Sequence, residues 1–530
     1  MEKFDLVIHG GCIVDGSGKP PFEGDLALSG DQILKVSQKG TLQGKRRIDA
    51  RGKIVAPGFV DIHSHSDYFL LVNPIAEAHL VQGVTTEIGG NCGYSAAPIW
   101  GEAAEQRRKD YQDLVEEDVS QWRTLKSYFD TLERRQIGIN YGHLIGHNTL
   151  RHSISGVVER RLEDDEKREI CLAVREALAE GAFGLSTGLI YSPGCFADTA
   201  ELAAIGREAA LAGAPFAFHM RSEGNQLVEA VEETLEIGRK TGGRVQISHL
   251  KTSGPKNWPK IDEVFERIEK GLREGQKVGV DRYPYIASQT VLSVVLPQWT
   301  YTGGREAMKA RLKDPGQRKK IFEELASLHP LDGDYWSRIK LMAFKNLQNK
   351  VFEGVTLTEG ARTTGKNPIE FMLDLLIDEE TDIPSIFFTM SEENLRRILS
   401  KPYVSVASDS GCRARRGPLS EGSLHPRAFG TFPRVIKKYV LEEKILTLEE
   451  AIYKMTLQPC EQMNIPRRGV LREGYFADIV VFDLDRIEDC ATFEDPKQYP
   501  SGIDFVLVNG QIAVENGELT GVRNGKVLKR

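Results

Sequence analysis

The chain has 530 residues, of which 40% are hydrophobic and 27% are charged, with a formal net charge of -7 at pH 7. This composition is typical of a globular protein with a large core, and it excludes a disordered chain or a protein that binds nucleic acid through a basic surface. At roughly 150 residues per domain, the length allows one large α/β barrel and a smaller unit, so we expect two structural domains.

The N-terminus does not resemble a targeting signal. It begins with MEKFDLVIHGG, which alternates polar and apolar residues, and no run of about 18 apolar residues occurs in the sequence. The 7 cysteines have no paired spacing, which is typical of reduced thiols rather than of a disulfide framework. We therefore expect a cytoplasmic protein with no membrane partner, whose partners are small molecules.

Both ends of the chain have the pattern of antiparallel strands. Short apolar runs of period 2 are separated by Gly, Asp-Gly and Asn-Gly turns in residues 1–56 and again in residues 466–530. We predict that the two ends combine into one small β-sandwich domain. A separate domain at each end is the alternative.

Residues 57–465 have a different pattern, in which an apolar strand, a polar tip and a helical stretch alternate. Helical stretches such as DDEKREICLAVREALAEG begin with acidic residues and end at glycine. Eight strands close a parallel barrel, so we predict a (β/α)8 TIM barrel in an α/β chain. The predicted strands are VAPGFVDIHSH, VTTEIGGNCG, INYGHLIGHNTLR, AFGLSTGLIYSPG, PFAFHMRSEG, RVQISHLK, KVGVDRYPY and VSVASDSG.

One connection of the predicted barrel is unusually long. Residues 292–349, after the seventh strand, exceed what a crossover helix needs. Long insertions at the catalytic face often act as lids, and we expect one here.

Metal-ligand side chains recur at the tips of the predicted strands, where the catalytic groups of parallel barrels lie. Residues two apart on an extended strand point to the same side, so the first two histidines can reach one ion. Imidazole and thiolate together suit zinc, with carboxylate as a harder ligand. The candidate ligands are His63, His65, Cys92, His219, His249 and Asp409.

Each candidate also has an alternative interpretation when taken alone. A single histidine such as His249 is usually a partly buried imidazole, Cys92 could be a small core residue, and Asp409 could cap a helix. The coincidence of all of them at five strand tips favours the metal site.

Several motifs, in order along nearly the whole chain, resemble those of the amidohydrolase superfamily. They are PGFVDIHSHSD, HMRSEG, ISHLK, YPY, ASDSG, HPRAFGTFPRV and GVLREGYFADIVVFD. Within the superfamily, GGNCG, GHNTLR and the HPR and GTFPR segments are similar to those of the N-acyl-D-amino-acid deacylases, or D-aminoacylases. The resemblance implies a metal-dependent hydrolase that cleaves the amide of a small-molecule N-acyl-D-amino acid to a carboxylate and a free D-amino acid.

The resemblance also implies roles for the metal ligands. Many binuclear amidohydrolases use a carboxylated lysine on the fourth strand, but AFGLSTGLIYSPG contains no lysine, and Cys92 is the deacylases' substitute. Cys92, His219 and His249 would form the tighter Zn2+ site, while His63, His65 and Asp409 would surround a second, weaker one. Asp409 would act as general base and then as general acid.

A substrate α-carboxylate needs a cationic partner, and a guanidinium matches it bidentately. By resemblance, Arg427 would supply it, although a surface arginine that closes a loop is the alternative; Lys251, Tyr191 and Tyr283 would also bind substrate. His147 would line the pocket or only buttress it. The cations of GCRARRG, after Asp409, reach either substrate or solvent.

Two other functions stay open at this point. A cyclic-amide hydrolase of the dihydropyrimidinase or dihydroorotase kind has the same barrel, but the missing lysine argues against it. A catalytically inactive barrel scaffold is the alternative from another class. A degenerate relative is expected to lose some ligands, whereas all of them are present here.

Overall fold

The computed structural model describes residues 4–38, 40, 42–379 and 382–530. The strands of this part of the chain are β1 (Phe4–Ile13), β2 (Phe22–Ser29), β3 (Gln32–Ser37), β4 (Gly44–Asp49), β5 (Ile54–Pro57), β6 (Phe59–Asp61), β7 (Val84–Gly89), β8 (Asn140–Gly146), β9 (Gly184–Gly188), β10 (Pro215–His219), β11 (Arg244–Ile247), β12 (Val278–Arg282), β13 (Ser288–Val291), β14 (Ile339–Leu341), β15 (Pro384–Phe387), β16 (Val404–Val406), β17 (Ile479–Phe482), β18 (Ile503–Val508), β19 (Gln511–Glu515) and β20 (Glu518–Leu519).

The α-helices of the same part are α1 (Phe69–Val72), α2 (Glu77–Leu80), α3 (Gly101–Tyr111), α4 (Leu125–Arg135), α5 (His147–Ser155), α6 (Asp164–Ala179), α7 (Thr199–Leu211), α8 (Leu227–Thr241), α9 (Ile261–Arg273), α10 (Gly304–Lys313), α11 (Pro315–Leu328), α12 (Leu357–Thr364), α13 (Pro368–Asp378), α14 (Glu392–Leu399), α15 (Arg427–Arg434), α16 (Leu448–Met455) and α17 (Leu457–Met463). A π-helix, Val435–Glu442, continues α15. None of these helices combines the length and apolar character needed to cross a bilayer.

The centre of the molecule is the predicted barrel. Strands β6 to β12 and β16 form an 8-stranded parallel sheet in the order β16-β12-β11-β10-β9-β8-β7-β6. Just beyond its two edge strands, Asp409 N–H donates to His63 O (2.9 Å) and His65 N–H donates to Ser410 O (3.0 Å). These bonds close the ring at the end that carries the candidate ligands. The eight strands are those predicted, so the (β/α)8 fold is confirmed.

Side-chain alternation along a strand explains how a ligand reaches the barrel interior. On β10, Phe216 and Phe218 pack outward into the core under the helices, whereas Ala217 packs inside the ring. His219 follows Ala217 by two residues and therefore points to the same inner side. Helices cover the outer face of the barrel. One of them, α8, is capped at its C-terminus by Gly242, whose φ is 67°.

Strands from both ends of the chain form one sheet, and the β-sandwich domain remains a prediction. Its order is β20-β19-β18-β17-β5-β1-β2-β3, with β4 paired to β1. The joint between the two ends is the antiparallel pair β5 and β17, in which Val55 opposes Val481. This pairing argues against a separate domain at each end. The limits 1–56 and 466–530 remain a prediction, and residues 1–3, 39 and 41 lie outside the described residues.

The long connection after the seventh barrel strand forms a compact unit of its own. Its three strands pair antiparallel in the order β13-β15-β14. Trp336, Leu341 and Ile369 belong to a buried apolar cluster that is separate from the barrel core. The described sheet extends from Ser288 to Phe387, beyond the predicted limits of 292–349, and residues 380 and 381 lie outside the described residues. Movement as a lid remains a prediction.

A buried polar network joins the terminal sheet to the bottom of the barrel. Asn140, at the start of β8, donates to both carboxylate oxygens of Asp478 at 3.2 Å and accepts from Asn509 Nδ2 at 2.8 Å. Arg468 pairs with Asp478 and also donates to Asn509 Oδ1 at 2.9 Å. Arg468 and Asp478 are each 4% exposed. A buried ion pair of this kind depends on both partners being present.

We therefore expect Asp478→Ala to lower the free energy of unfolding by about 3–5 kcal/mol, because it leaves the Arg468 guanidinium buried without an opposite charge. Urea unfolding followed by circular dichroism measures the change. Asp49→Ala is the matched control, because it breaks the exposed Asp49–Arg51 pair and is expected to leave the midpoint unchanged. Equal effects of the two variants would contradict the role given to the network.

Candidate metal centre

The candidate ligands lie at the carboxyl ends of the barrel strands. His63 and His65 follow β6, Cys92 follows β7, His219 ends β10 and His249 follows β11, and Asp409 completes the set after β16. Three of them have left-handed backbone, with φ of 53° at Cys92, 36° at His249 and 52° at Asp409. Such strain costs on the order of 1–3 kcal/mol per residue and clusters at functional sites.

The glycines of GGNCG are explained by close packing. A Cβ on Gly90, whose φ is 74°, would lie 2.0 Å from the carbonyl oxygen of Leu144. A Cβ on Gly93, whose φ is 80°, would lie 2.1 Å from Asn148 Oδ1. The turn that carries Cys92 can therefore approach β8 and α5 only where no side chain intervenes.

Two overlapping groups of donors share Cys92. Its Sγ lies 3.3 Å from His63 Nε2 and 3.4 Å from His249 Nε2, and His249 Nε2 lies 2.9 Å from His219 Nδ1. His65 Nε2 lies 3.1 Å from Asp409 Oδ1. The donor atoms within each group are all within 4.8 Å of one another; the groups are His63, His65, Cys92 and Asp409, and Cys92, His219 and His249.

The electrostatics of the donors favour a bound cation. Burial opposes the thiolate, but the charges of His63 and His249 outweigh it and hold the pKa of Cys92 well below its ordinary value. Burial likewise opposes ionisation of Asp409, yet the Arg427 guanidinium holds the pKa of that carboxyl well below its usual range. His219 Nε2 is buried without a hydrogen-bond partner among the described residues. A buried set of sulfur, nitrogen and oxygen donors at this spacing fits zinc.

A buried carboxylate that the sequence analysis missed orients two of the histidines. Asp281 Oδ1 accepts from His63 Nδ1 (3.0 Å) and from the backbone N–H of His249 (2.8 Å), and Oδ2 accepts from Gln246 Nε2 (2.9 Å). The signal in the sequence was a charged residue inside the apolar strand KVGVDRYPY. Such partners hold metal-binding imidazoles in one tautomer and orientation.

Glu223 is the second missed residue. It pairs with Lys251, and its Oε1 lies 2.9 Å from His249 Nδ1. Burial opposes its ionisation, but the Lys251 ammonium lowers the pKa of Glu223 far below its ordinary value. Lys251, predicted to bind substrate, lies at the cavity wall with this carboxylate as its partner.

The donors open into a cavity of about 1170 Å³, whose wall includes Tyr191, Lys251 and Arg427. Arg427 is 3% exposed, so it is not a surface arginine. Its Nη1 donates to Asp409 Oδ2 at 2.7 Å. Tyr191 donates to or accepts from Thr290 Oγ1 at 2.8 Å, and its ring packs edge-on against His219 with centroids 4.9 Å apart.

Two residues that the sequence analysis considered for the substrate pocket, Tyr283 and His147, lie outside the cavity lining. Tyr283 is fully buried behind the cavity wall, where Arg282 Cζ and Arg427 Cζ lie 4.1 and 4.9 Å from its ring centroid. His147 is bonded to Thr187 Oγ1 at 2.9 Å and to Glu201 Oε1 at 2.8 Å. His147 therefore buttresses the end of β9 and does not line the cavity.

Comparison with known proteins identifies similar chains. The family model described as "Amidohydrolase family" matches residues 46–311 and 341–514. D-aminoacylase of Alcaligenes xylosoxydans xylosoxydans is 33% identical, with 100% of this chain and 98% of the relative covered. N-acyl-D-glutamate deacylase of the same organism is 34% identical, with 100% and 97% covered.

A solved structure supports the same similarity. The N-acyl-D-glutamate deacylase of Bordetella bronchiseptica, complexed with zinc and a phosphonate inhibitor that mimics the tetrahedral intermediate, superimposes with a TM-score of 0.82. It is 31% identical, and the match covers 100% of both chains.

We expect Asp281→Asn to weaken zinc binding about 10- to 100-fold, because the His63 imidazole and the backbone N–H of His249 lose the charge that positions them. Competition with a chromogenic chelator measures the affinity. Asp25→Asn is the matched control: Asp25 is equally buried, accepts from Gly10 N–H at 2.9 Å and lies 2.9 Å from His9 Nδ1 in the terminal sheet. Unchanged affinity in Asp281→Asn would contradict its orienting role.

Proposed function

Because this chain belongs to the amidohydrolase family and, within it, to the N-acyl-D-amino-acid deacylases, we propose that it is a zinc-dependent hydrolase that cleaves N-acyl-D-amino acids to a carboxylate and a free D-amino acid. The observation that carries the proposal is the buried sulfur of Cys92, which lies between His63 at 3.3 Å and His249 at 3.4 Å. Neither a cyclic-amide hydrolase nor an inactive scaffold is favoured, since β9 has no lysine and all the predicted ligands converge.

The ligand assignment follows the two donor groups. Cys92, His219 and His249 would hold the tighter zinc ion, and His63, His65 and Asp409 would surround a weaker second site beside the shared Cys92. The first group is supported by its greater burial, since the His65 side chain is 34% exposed. The chemistry that zinc supplies in such a site is Lewis acidity toward water and toward the amide carbonyl.

Asp409 is the proton carrier of the reaction. Its Oδ2 is held by Arg427, whereas Oδ1 faces the donors, 3.1 Å from His65 Nε2 and 3.4 Å from His63 Nε2. The ionised Oδ1 accepts a proton from the attacking water and delivers it to the departing amine. The Arg427 guanidinium lowers the pKa of Asp409, which keeps the carboxylate in the ionised form that can accept a proton.

The cavity wall orients the amino-acid half of the substrate. Arg427 lines the cavity and donates from Nη1 to Asp409 Oδ2 at 2.7 Å, and we assign its guanidinium to the α-carboxylate of the substrate. Lys251 adds a second positive charge to the wall. The ring of Tyr191, also at the wall, packs edge-on against His219. Tyr283 supports Arg427 from behind through its ring. A guanidinium braced in this way presents its donors in one direction.

We also place the protein in the cytoplasm. All seven cysteines are free, and the proposed zinc ligand Cys92 is among them. A reducing compartment keeps such thiols available to metal.

The direct test of the function is an assay of the zinc-loaded protein on N-acetyl-D-methionine, N-acetyl-L-methionine and dihydrouracil. We expect hydrolysis of the D compound and no hydrolysis of dihydrouracil. The L compound should be hydrolysed at least about 100-fold more slowly than the D compound, because misplacing a reacting group costs a factor of that size. Preference for dihydrouracil would instead identify a cyclic-amide hydrolase. Inactivity on all three compounds with zinc bound would contradict the proposal.

Asp409→Asn tests the proton carrier. The amide cannot accept the water proton, so we expect kcat to fall by about 10²–10⁴-fold, while the tighter group keeps its zinc. Steady-state kinetics and elemental analysis of the same preparation separate the two effects. Near-normal turnover would show that another group carries the proton.

A further inference from the structure

Two arginine side chains on the cavity wall form no ion pair with a carboxylate among the described residues. Arg107 lies on α3 and Arg413 follows β16, and both line the cavity that contains the donors. In the part of the chain that the structure describes, both arginines contact aromatic rings and form neither an ion pair nor a hydrogen bond, although the charge of Asp110 also acts on Arg107. A guanidinium directed at a cavity without a counter-ion is a ready partner for a carboxylate.

Arg107 is held by three tyrosines. Its Cζ lies 5.6, 5.7 and 5.8 Å from the ring centroids of Tyr68, Tyr94 and Tyr111. The nearby carboxylate of Asp110 is already engaged by Gln106 at 2.9 Å and by Arg305 at 3.1 Å. Aromatic faces hold a cation in place without neutralising it.

Arg413 reaches the same part of the cavity from another element. Its Cζ lies 4.5 Å from the ring centroid of Phe69. Phe69 in turn packs beside the metal donors, since a Cβ on Gly411 would lie 2.5 Å from Phe69 Cδ2 and 2.8 Å from His65 O. Arg107 Cζ lies 5.8 Å from the ring centroid of Tyr111. Burial raises the pKa of that phenol, and the charges of Arg107, Asp67, Asp110 and Arg413 all act on it.

The other carboxylates of this wall do not supply the missing charge. Asp382 binds Ser293, Glu105 pairs with Arg108 at 3.1 Å, and Glu223 pairs with Lys251. Glu102 and Glu306 are exposed at the rim. Among the described residues, none of these carboxylates forms an ion pair with Arg107 or Arg413.

The order of the strands in the barrel indicates where Arg107 and Arg413 lie relative to the amide bond that is cleaved. The end of β11, which leads to Lys251, lies four strands around the ring of eight from β7, which leads to Cys92 and Tyr94. An α-carboxylate at Lys251 and Arg427, with the amide carbonyl at the donors between, directs the acyl chain toward the β6 and β7 side. Arg107 contacts the ring of Tyr94, which follows β7, and Arg413 contacts the ring of Phe69, which follows β6, so both arginines reach that side of the cavity.

We infer that Arg107 and Arg413 form a subsite for a carboxylate at the far end of the acyl group, so that the enzyme takes N-acyl-D-amino acids whose acyl part is a dicarboxylic acid. This inference rests on the proposed function and adds the class of acyl group to it. The products are then a dicarboxylate and a free D-amino acid, with water consumed in the same amide hydrolysis.

The test compares acyl groups that differ only in one terminal charge. N-succinyl-D-leucine is assayed against its terminal carboxamide, and N-glutaryl-D-leucine against its own, with the zinc-loaded protein. We expect kcat/KM for the carboxylate to exceed that for the carboxamide by at least about tenfold in one of the pairs. In Arg413→Met and Arg107→Met we expect this ratio to fall below about threefold.

Matched controls keep the result specific. Methionine is chosen because its unbranched apolar side chain can still pack against Phe69. Arg416→Met is the control, because it removes the same charge from an exposed residue of the same segment that does not line the cavity. Arg416→Met should leave the ratio unchanged. The Arg107 side chain is packed among three tyrosines. If Arg107→Met does not fold for that reason, the result for Arg413→Met decides the test.

Other outcomes overturn the inference. A wild-type ratio near one in both pairs, or an equal loss in Arg416→Met, removes the subsite. If Arg413→Met instead abolishes a preference for N-acetyl-D-glutamate over N-acetyl-D-glutamine, the two arginines bind the amino-acid side chain, and the acyl assignment is wrong.

Failure of the proposed function gives a different result, namely no hydrolysis of any N-acyl-D-leucine. Calorimetric titration of the zinc-loaded protein with succinate and with butyrate then decides the subsite without turnover. Binding of succinate at least about tenfold tighter than butyrate, lost in Arg413→Met and retained in Arg416→Met, supports it. Equal binding of the two acids rules it out.

Discussion

The site depends on a thiolate and a carboxylate that stay ionised inside the protein. Burying an isolated anion costs several kcal/mol, so Cys92 and Asp409 are held there only because imidazole and guanidinium groups surround them. The same need for positive charge explains why His63 and His249 converge from distant parts of the chain on one sulfur. The barrel supplies the convergence, because eight strand ends meet at one rim.

The sequence predicted those features that depend on local pattern. The eight barrel strands followed from short apolar runs with polar tips, and the candidate ligands followed from residue type at the tips. Asp281 and Glu223 escaped prediction because a lone carboxylate becomes meaningful only beside its partner, and Asp281 meets His63 across 218 residues of sequence. Which side of the wall Tyr283 and His147 occupy depends on tertiary packing, which no residue pattern encodes.

The insertion shows a second limit of pattern reasoning. The sequence showed that this connection is long, but it did not show where the inserted unit ends. Strand β15 and helix α13 belong to the unit and lie beyond the predicted limit at residue 349. The unit has its own apolar core and contributes Ser288, Gln289 and Thr290 to the cavity wall. The wall is thus shared between the barrel, whose strands fix the donors, and an added layer that is free to differ without disturbing them.

The joint between β5 and β17 also affects how the chain is made. Val55 opposes Val481, so the ribosome must add more than 400 residues before the first strands meet their last partner. At roughly 5–20 residues per second, that delay is on the order of 20–80 seconds. During synthesis β5 therefore emerges with one unpaired edge, and the barrel strands are complete before the sheet at the termini can be.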